Sequence, residues 1–148
     1  CLIPNGFCSM GFALPGAIAA ALVYPQRQIL AICGDGGFLM NVQEMETAAR
    51  LNSNITVMVW EDHEYGLIAW KQMAHFGEKT ELTFNNPDWK MLSAAFGWQC
   101  HSVNNSRDLP AVLRTAVDET GPSLVIVPVD YRENMKLTHH LGEIVCPI

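Results

Sequence analysis

The chain has 148 residues, 49% of them hydrophobic, and a formal net charge of −6. That length supports one α/β domain with a real core and not two. The acidic balance, with no basic patch interleaved with aromatics, argues against nucleic acid or an anionic membrane as partner. The apolar runs are too short to span a bilayer. Five cysteines (Cys1, Cys8, Cys33, Cys100 and Cys146) are scattered without a Cys-x-x-Cys pair, the pattern of reduced thiols in a cytoplasmic protein. Cys33 falls inside an apolar run and reads as a small core residue.

In chain order, the Ala-, Leu- and Ile-rich run from Met10 to Val23 predicts a buried helix, with Pro15 early enough to be tolerated. Tyr24-Pro25-Gln26-Arg27 predicts a turn, and Gln28 to Cys33 a buried strand. Phe38 to Leu51 predicts one helix, broken by Asn52-Ser53-Asn54. Ile55 to Trp60 predicts a second buried strand. Tyr65 to Met73 predicts a helix with Leu67, Ile68 and Trp70 inward, and His75 to Asn86 an irregular segment. Pro87 opens a helix through Trp89, Leu92 and Phe96 that stops at Gly97, and Trp98 to Val103 gives a third strand. Ser106 predicts a cap for a helix to Glu119, with Leu109, Val112, Leu113, Ala116 and Val117 on one face. Ser123 to Val127 gives a fourth strand, and Tyr131 onward reads as a tail. The alternation predicts an α/β fold: a doubly wound, mainly parallel sheet with helices on both faces.

Two motifs carry the chemistry. Gly34-Asp35-Gly36 follows the first strand, and Glu61-Asp62 follows the second. Two carboxylates therefore emerge at the carboxyl ends of two strands, the edge where open α/β sheets bind ligands. Asp35 alone would read as a turn or cap aspartate. Paired with Asp62, it points to a hard cation such as Mg²⁺ that holds a phosphate group. Gly36-Gly37 allow backbone N–H groups to approach an anion, and the amino end of the following helix adds a favourable dipole. Glu61 is expected to face solvent or a neighbour, not the metal. The five histidines show no metal-ligand spacing, and His139-His140, being adjacent, would not face one site.

The pairing of Gly-Asp-Gly with a second metal-binding pair resembles the thiamine-diphosphate signature, whose pair is usually Asn-Asn; here it is Glu61-Asp62. The segment from Asn5 through Gly6, Met10, Gly11 and Pro15 to Ile18 is similar to the one preceding Gly-Asp-Gly in acetohydroxyacid and acetolactate synthases. Gly36 to Ala48 is similar to the helix that follows it, and Pro128 to Asn134 to the close of the same domain in catabolic acetolactate synthases. The resemblance covers nearly the whole chain.

It implies that residues 1–148 are the diphosphate-binding domain of a longer enzyme, with 133–148 a C-terminal tail. A pyrimidine-binding and a central domain would complete it, the former carrying the glutamate that activates the cofactor, so Glu44 is not that residue and this domain supplies no catalytic group. The implied cofactors are thiamine diphosphate and Mg²⁺; whether FAD is present rests with the central domain. The implied metal ligands are Asp35, Asp62 and the backbone carbonyl of Glu64. Gly6, Met10, Gly34, Gly36, Gly37, Met40, Tyr65 and Gly66 would lie at the cofactor, Met10 propping it in a bent shape, and His63 is a candidate for touching substrate. The implied reaction decarboxylates pyruvate and ligates the product to a second 2-oxo acid, in a homodimer or homotetramer. Another decarboxylase on this scaffold, a glyoxylate carboligase or a non-catalytic cofactor-binding module are the alternatives. The place of a tryptophan that favours 2-oxobutyrate in biosynthetic relatives falls on Lys71, with Trp70 beside it, so pyruvate is the expected acceptor.

Overall fold

The computed structural model describes residues 1–134 and residue 136. Most of the 133–148 tail, with His139, His140 and Cys146, lies outside the described residues. Four strands, β1 (Ile29–Gly34), β2 (Ile55–Glu61), β3 (Gln99–Ser102) and β4 (Ser123–Pro128), form an all-parallel sheet in the order β1-β2-β4-β3. The helices are α1 (Ala13–Val23), α2 (Asp35–Leu39), α3 (Glu44–Arg50), α4 (Gly66–Phe76), α5 (Trp89–Ala95) and α6 (Leu109–Asp118). The α/β class expected from the alternation is the one observed. None of the described helices is long and apolar enough to cross a membrane.

β2 and β4 sit inside the sheet, which is why they read as continuous apolar runs: Val57, Val59, Leu124 and Val125 are fully buried. One face packs against Leu14, Ala17, Ile18 and Ala21 of α1, Phe38 of α2, Met45 and Ala48 of α3 and Trp89 of α5. On the other, Met58 and Val125 meet Ala116 of α6, with Leu109, Val112 and Leu113 around them. The end of α6 is pinned to the sheet by hydroxyls: Ser123 Oγ and Thr56 Oγ1 both donate to the carbonyl of Ala116, at 3.1 and 3.3 Å. The register aligns Gly34 with Trp60 and Glu61 with Pro128, so the segments leaving β1, β2 and β4 emerge side by side.

Several boundaries differ from expectation. The helix expected over Phe38 to Leu51 starts earlier, at Asp35, and is split into α2 and α3. Between them the backbone tightens: Asn41, Glu44, Met45 and Glu46 N–H groups donate to carbonyls three residues back. Asn41 causes the departure, because its side chain donates to the Gly11 carbonyl at 2.8 Å and draws the turn against the segment before α1. Five residues of α2 give less aligned dipole than the full helix expected. α4 runs on to Phe76, where Gly77 at φ 74° caps it. Its inward face is not the one expected: Ala69 is buried, Trp70 half-buried, and Leu67 and Ile68 are exposed, since no element of the described chain covers them. The cap before α6 is Asn105, not Ser106; its side chain accepts from Arg107 N–H and starts a 3₁₀ turn over Ser106–Asp108. Asp88 caps α5 by accepting from Met91 N–H.

Candidate functional site

Asp35 is the first residue after β1 and is buried, at 1% exposure. A carboxylate so placed must be hydrogen-bonded, and four donors reach it. Gly36 N–H donates to Oδ1 at 2.8 Å. Asp62 N–H, His63 N–H and Asn86 Nδ2 donate to Oδ2 at 3.2, 2.9 and 2.8 Å. Two of these donors are backbone groups just past β2, so Asp35 ties the ends of the two strands together. His63 adopts a left-handed backbone, φ 60°, to turn its N–H inward.

Asp62 stands beside it. Its carboxyl is held above the ordinary value of 3.8, first by burial and next by the charge of Asp35, while the backbone N–H of Glu64 opposes the shift. The Glu64 side chain is taken by an ion pair with Lys79. Its backbone forms an isolated antiparallel bridge with Thr83, flanked by Phe84 N–H to His63 O and Tyr65 N–H to Leu82 O. In that pattern the carbonyl of Glu64 points away from the bridge partner. Among the described residues no group of three or more His, Cys, Asp or Glu is arranged to hold a metal. The oxygens that fit a hard cation are instead two carboxylates and a backbone carbonyl. Two neighbouring carboxylates, one resisting ionisation first through burial and then through the charge of the other, are a donor set that a cation would neutralise.

The glycines differ in what they do. A Cβ on Gly36 would sit 2.8 Å from Tyr65 Cε1 and 3.3 Å from Phe84 Cζ, so its absence lets that aromatic pair close over the turn. Beside Gly37 nothing lies closer than Gly11 N at 3.9 Å, and beside Gly34 only Trp60 O at 4.0 Å, which leaves space for an approaching anion. A Cβ on Gly66 would come within 3.2 Å of Asp62 Oδ2. Gly11, at φ 86°, has no room for a Cβ, which would lie 2.6 Å from Asn41 Nδ2 and 3.3 Å from Met40 Cβ; the segment holding Met10 therefore runs against the turn holding Met40. Both methionines are exposed, and Gly6 is exposed with nothing near it.

A cleft of about 330 Å³ opens between Asp62, Glu64, Trp70 and the segment Val129–Arg132. Tyr131 packs edge-on against Trp70 with ring centres 5.9 Å apart, and burial, then Asp62 and Asp35, push its hydroxyl up from its usual range. Lys71 is exposed outside the residues that line this cleft. Cys33 lies beneath the site, its thiol pushed up to about 12 by burial and by Asp35, hence uncharged near neutrality.

Sequence reasoning missed the contribution of the polar stretch after α4, read as irregular and without a role. Asn86 there reaches Asp35, and Trp89 at the start of α5 donates through Nε1 to Glu61 Oε1 at 2.6 Å. The only available signal was the cap pattern Asn86-Pro87-Asp88, which announces a helix but not what the asparagine touches.

The raised carboxyl of Asp62 has a stability consequence. A folded-state pKa above the unfolded one means the folded chain binds the proton more tightly. The contribution of this group is therefore fullest below 3.8 and is lost as pH rises through the raised folded value. At neutral pH ionised Asp62 destabilises the metal-free protein, and Asp62→Asn removes that cost. Solvent screening at this half-open position limits the gain to about 0.5 kcal/mol. Metal-free Asp62→Asn should thus melt about 1–2 °C higher at pH 7 and no higher at pH 3. Thermal unfolding at the two pH values checks this; an equal shift at both contradicts it.

Residues 1–127 match the family described as thiamine pyrophosphate enzyme, C-terminal TPP binding domain. Over 97% of its length the chain is 40% identical to the catabolic acetolactate synthase of Raoultella terrigena and 36% identical to the acetolactate synthase of Bacillus subtilis, covering 26% of each. It is 34% identical to the acetolactate synthase isozyme 2 large subunit of Escherichia coli over 88% of the chain. The chain thus spans about a quarter of the length of these relatives. With the family match extending from the first residue into β4, the chain belongs to the thiamine pyrophosphate enzymes, in the part that is their C-terminal cofactor-binding domain.

Proposed function

We propose that this domain holds Mg²⁺ and thiamine diphosphate for a longer, acetolactate-synthase-like enzyme that decarboxylates pyruvate and ligates the product to a second 2-oxo acid. The observation that carries the reading is the pair of carboxylates, Asp35 and Asp62, at the ends of adjacent parallel strands with open space beside Gly34 and Gly37. Asp35, Asp62 and the carbonyl of Glu64 would hold the cation. Gly34, Gly36 and Gly37, with Tyr65 and Gly66, would border the diphosphate, and Met10, Met40 and Gly6 would meet the rest of the cofactor. When bound, thiamine diphosphate supplies the electron sink for decarboxylation. The domain's own residues bind and orient: Asp35 is fixed by four donors before any cation arrives, so little reorganisation is needed on binding.

The pyrimidine-binding and central domains of the same enzyme would complete the cleft, within a cytoplasmic homodimer or homotetramer. The exposed apolar residues Leu2, Ile3, Phe7, Leu67 and Ile68 give such neighbours surface to cover. In the full-length enzyme, Asp35→Ala should abolish Mg²⁺-dependent binding of thiamine diphosphate while the fold survives, and Asp62→Asn should be milder, since Asn keeps a hard oxygen. Isothermal calorimetry decides it; unchanged cofactor affinity in Asp35→Ala would sink the assignment.

Lys71, where the resemblance places the tryptophan, carries no indole and does not line the cleft, and Trp70 beside it packs edge-on against Tyr131. The same full-length enzyme is therefore expected to use pyruvate as main acceptor with little preference for 2-oxobutyrate. Competition between the two acids checks this, and a strong excess of acetohydroxybutyrate over acetolactate would contradict it.

A further inference from the structure

Asn86 occupies an unusual position. It lies in a polar segment, yet its amide nitrogen sits between two carboxylates, 2.8 Å from Asp35 Oδ2 and 3.1 Å from Glu61 Oε1. His63 Nδ1 is 3.3 Å away. The two N–H bonds of a primary amide match the two carboxylates one to one. The amide oxygen, by contrast, is buried and finds no hydrogen-bond partner among the described residues. Such an orphan acceptor is unfavourable. Turning the amide over would satisfy nothing, because it would set Oδ1 against two carboxylates. The orientation is fixed by charge, and the orphan is the consequence.

Glu61 is held from its other side. Trp89 Nε1 donates to the same Oε1 at 2.6 Å, and the indole is itself fixed edge-on against buried Phe38, ring centres 5.8 Å apart. Glu61 is thereby pinned toward α5, while Asp62 remains at the cleft. The Asn86 amide joins the carboxylate just past β1 to the last residue of β2, and the Trp89 indole joins that residue to the first turn of α5.

We infer that Asn86 is a positioning residue of the metal site: by bridging Asp35 and Glu61 it holds the ligand carboxylate in place and, with Trp89, keeps the extra carboxylate of Glu61 out of the cation's coordination. The inference rests on the reading of Asp35 as a metal ligand given above. It assigns a role to a Glu-Trp-Asn set that a pair of asparagines at positions 61 and 62 would not need, because a neutral residue at 61 requires no bridge.

The test uses the full-length enzyme and titrates Mg²⁺ at fixed thiamine diphosphate, following cofactor binding by calorimetry with no 2-oxo acid present. Asn86→Ala should raise the Mg²⁺ concentration for half-saturation by about 10-fold or more, the range seen when outer partners of metal ligands are removed. Trp89→Phe keeps the ring against Phe38 and loses only the N–H; it should raise half-saturation a few-fold, and stands as the test should Asn86→Ala not fold. The distinguishing readout is the background of Glu61→Gln, which keeps an acceptor for Trp89 and removes the charge. There Trp89→Phe should lose most of its effect and Asn86→Ala part of it, the remainder being the hydrogen bond to Asp35. Equal effects of Asn86→Ala in the two backgrounds, or Mg²⁺ half-saturation unchanged or lowered in Asn86→Ala, would overturn the inference. Asp35→Ala run alongside separates the two levels. If it binds cofactor normally, the metal assignment itself fails; if it does not bind while Asn86 and Glu61 behave independently, only the bridge fails.

Discussion

The buried carboxylate of Asp35 is the constraint on which the site depends. A carboxyl group at 1% exposure needs hydrogen-bond donors, and they come from three places in the chain: Gly36 beside it, Asp62 and His63 past the next strand, and Asn86 before α5. Satisfying that one group fixes the exit of β1, the exit of β2 and the return of the segment after α4. The left-handed backbone at His63 is part of the same requirement, since that turn aims two consecutive N–H groups at one oxygen. The parallel register supplies the frame: with Gly34 level with Trp60, the two exits are neighbours before any side chain is considered.

The second consequence is electrostatic. Asp35, Glu61 and Asp62 crowd three carboxylates onto one sheet edge, and the chain treats them differently. Asp35 is fixed by three donors on Oδ2 and one on Oδ1. Glu61 is tied down by Trp89 and Asn86. Asp62 is left with a raised carboxyl beside an open cleft. On the reading proposed above, a cation would relieve both the burial and the repulsion that hold the Asp62 carboxyl up. The apolar half of the domain shows the same division of labour: β2 and β4 are buried on both faces and carry the load, while the turns at their carboxyl ends carry the chemistry.

Much of this was legible in the amino-acid sequence, and the reasons are specific. Ile55 to Trp60 and Ser123 to Val127 read as buried strands because inner parallel strands must be apolar on both faces. Asp35 and Asp62 stood out because each directly follows such a run. What was not legible depended on long-range contacts. The split between α2 and α3 follows from Asn41 bonding to Gly11, 30 positions away. The outward turn of Leu67 and Ile68 reflects what does not cover α4 in this chain, which periodicity cannot report. Asn86 sat in a stretch whose polarity suggested solvent; its partners lie 51 and 25 positions away, and no spacing rule connects them.

The account turns on whether Asp35 and Asp62 hold the cation that binds the cofactor diphosphate. Electron paramagnetic resonance of Mn²⁺ in the full-length enzyme with thiamine diphosphate tests this at the metal itself. The wild-type protein should give a bound Mn²⁺ spectrum with coupling to the diphosphate phosphorus nuclei, and the double variant Asp35→Asn, Asp62→Ala should lose most of it. A bound, phosphorus-coupled Mn²⁺ signal of undiminished strength in the double variant Asp35→Asn, Asp62→Ala would contradict the account.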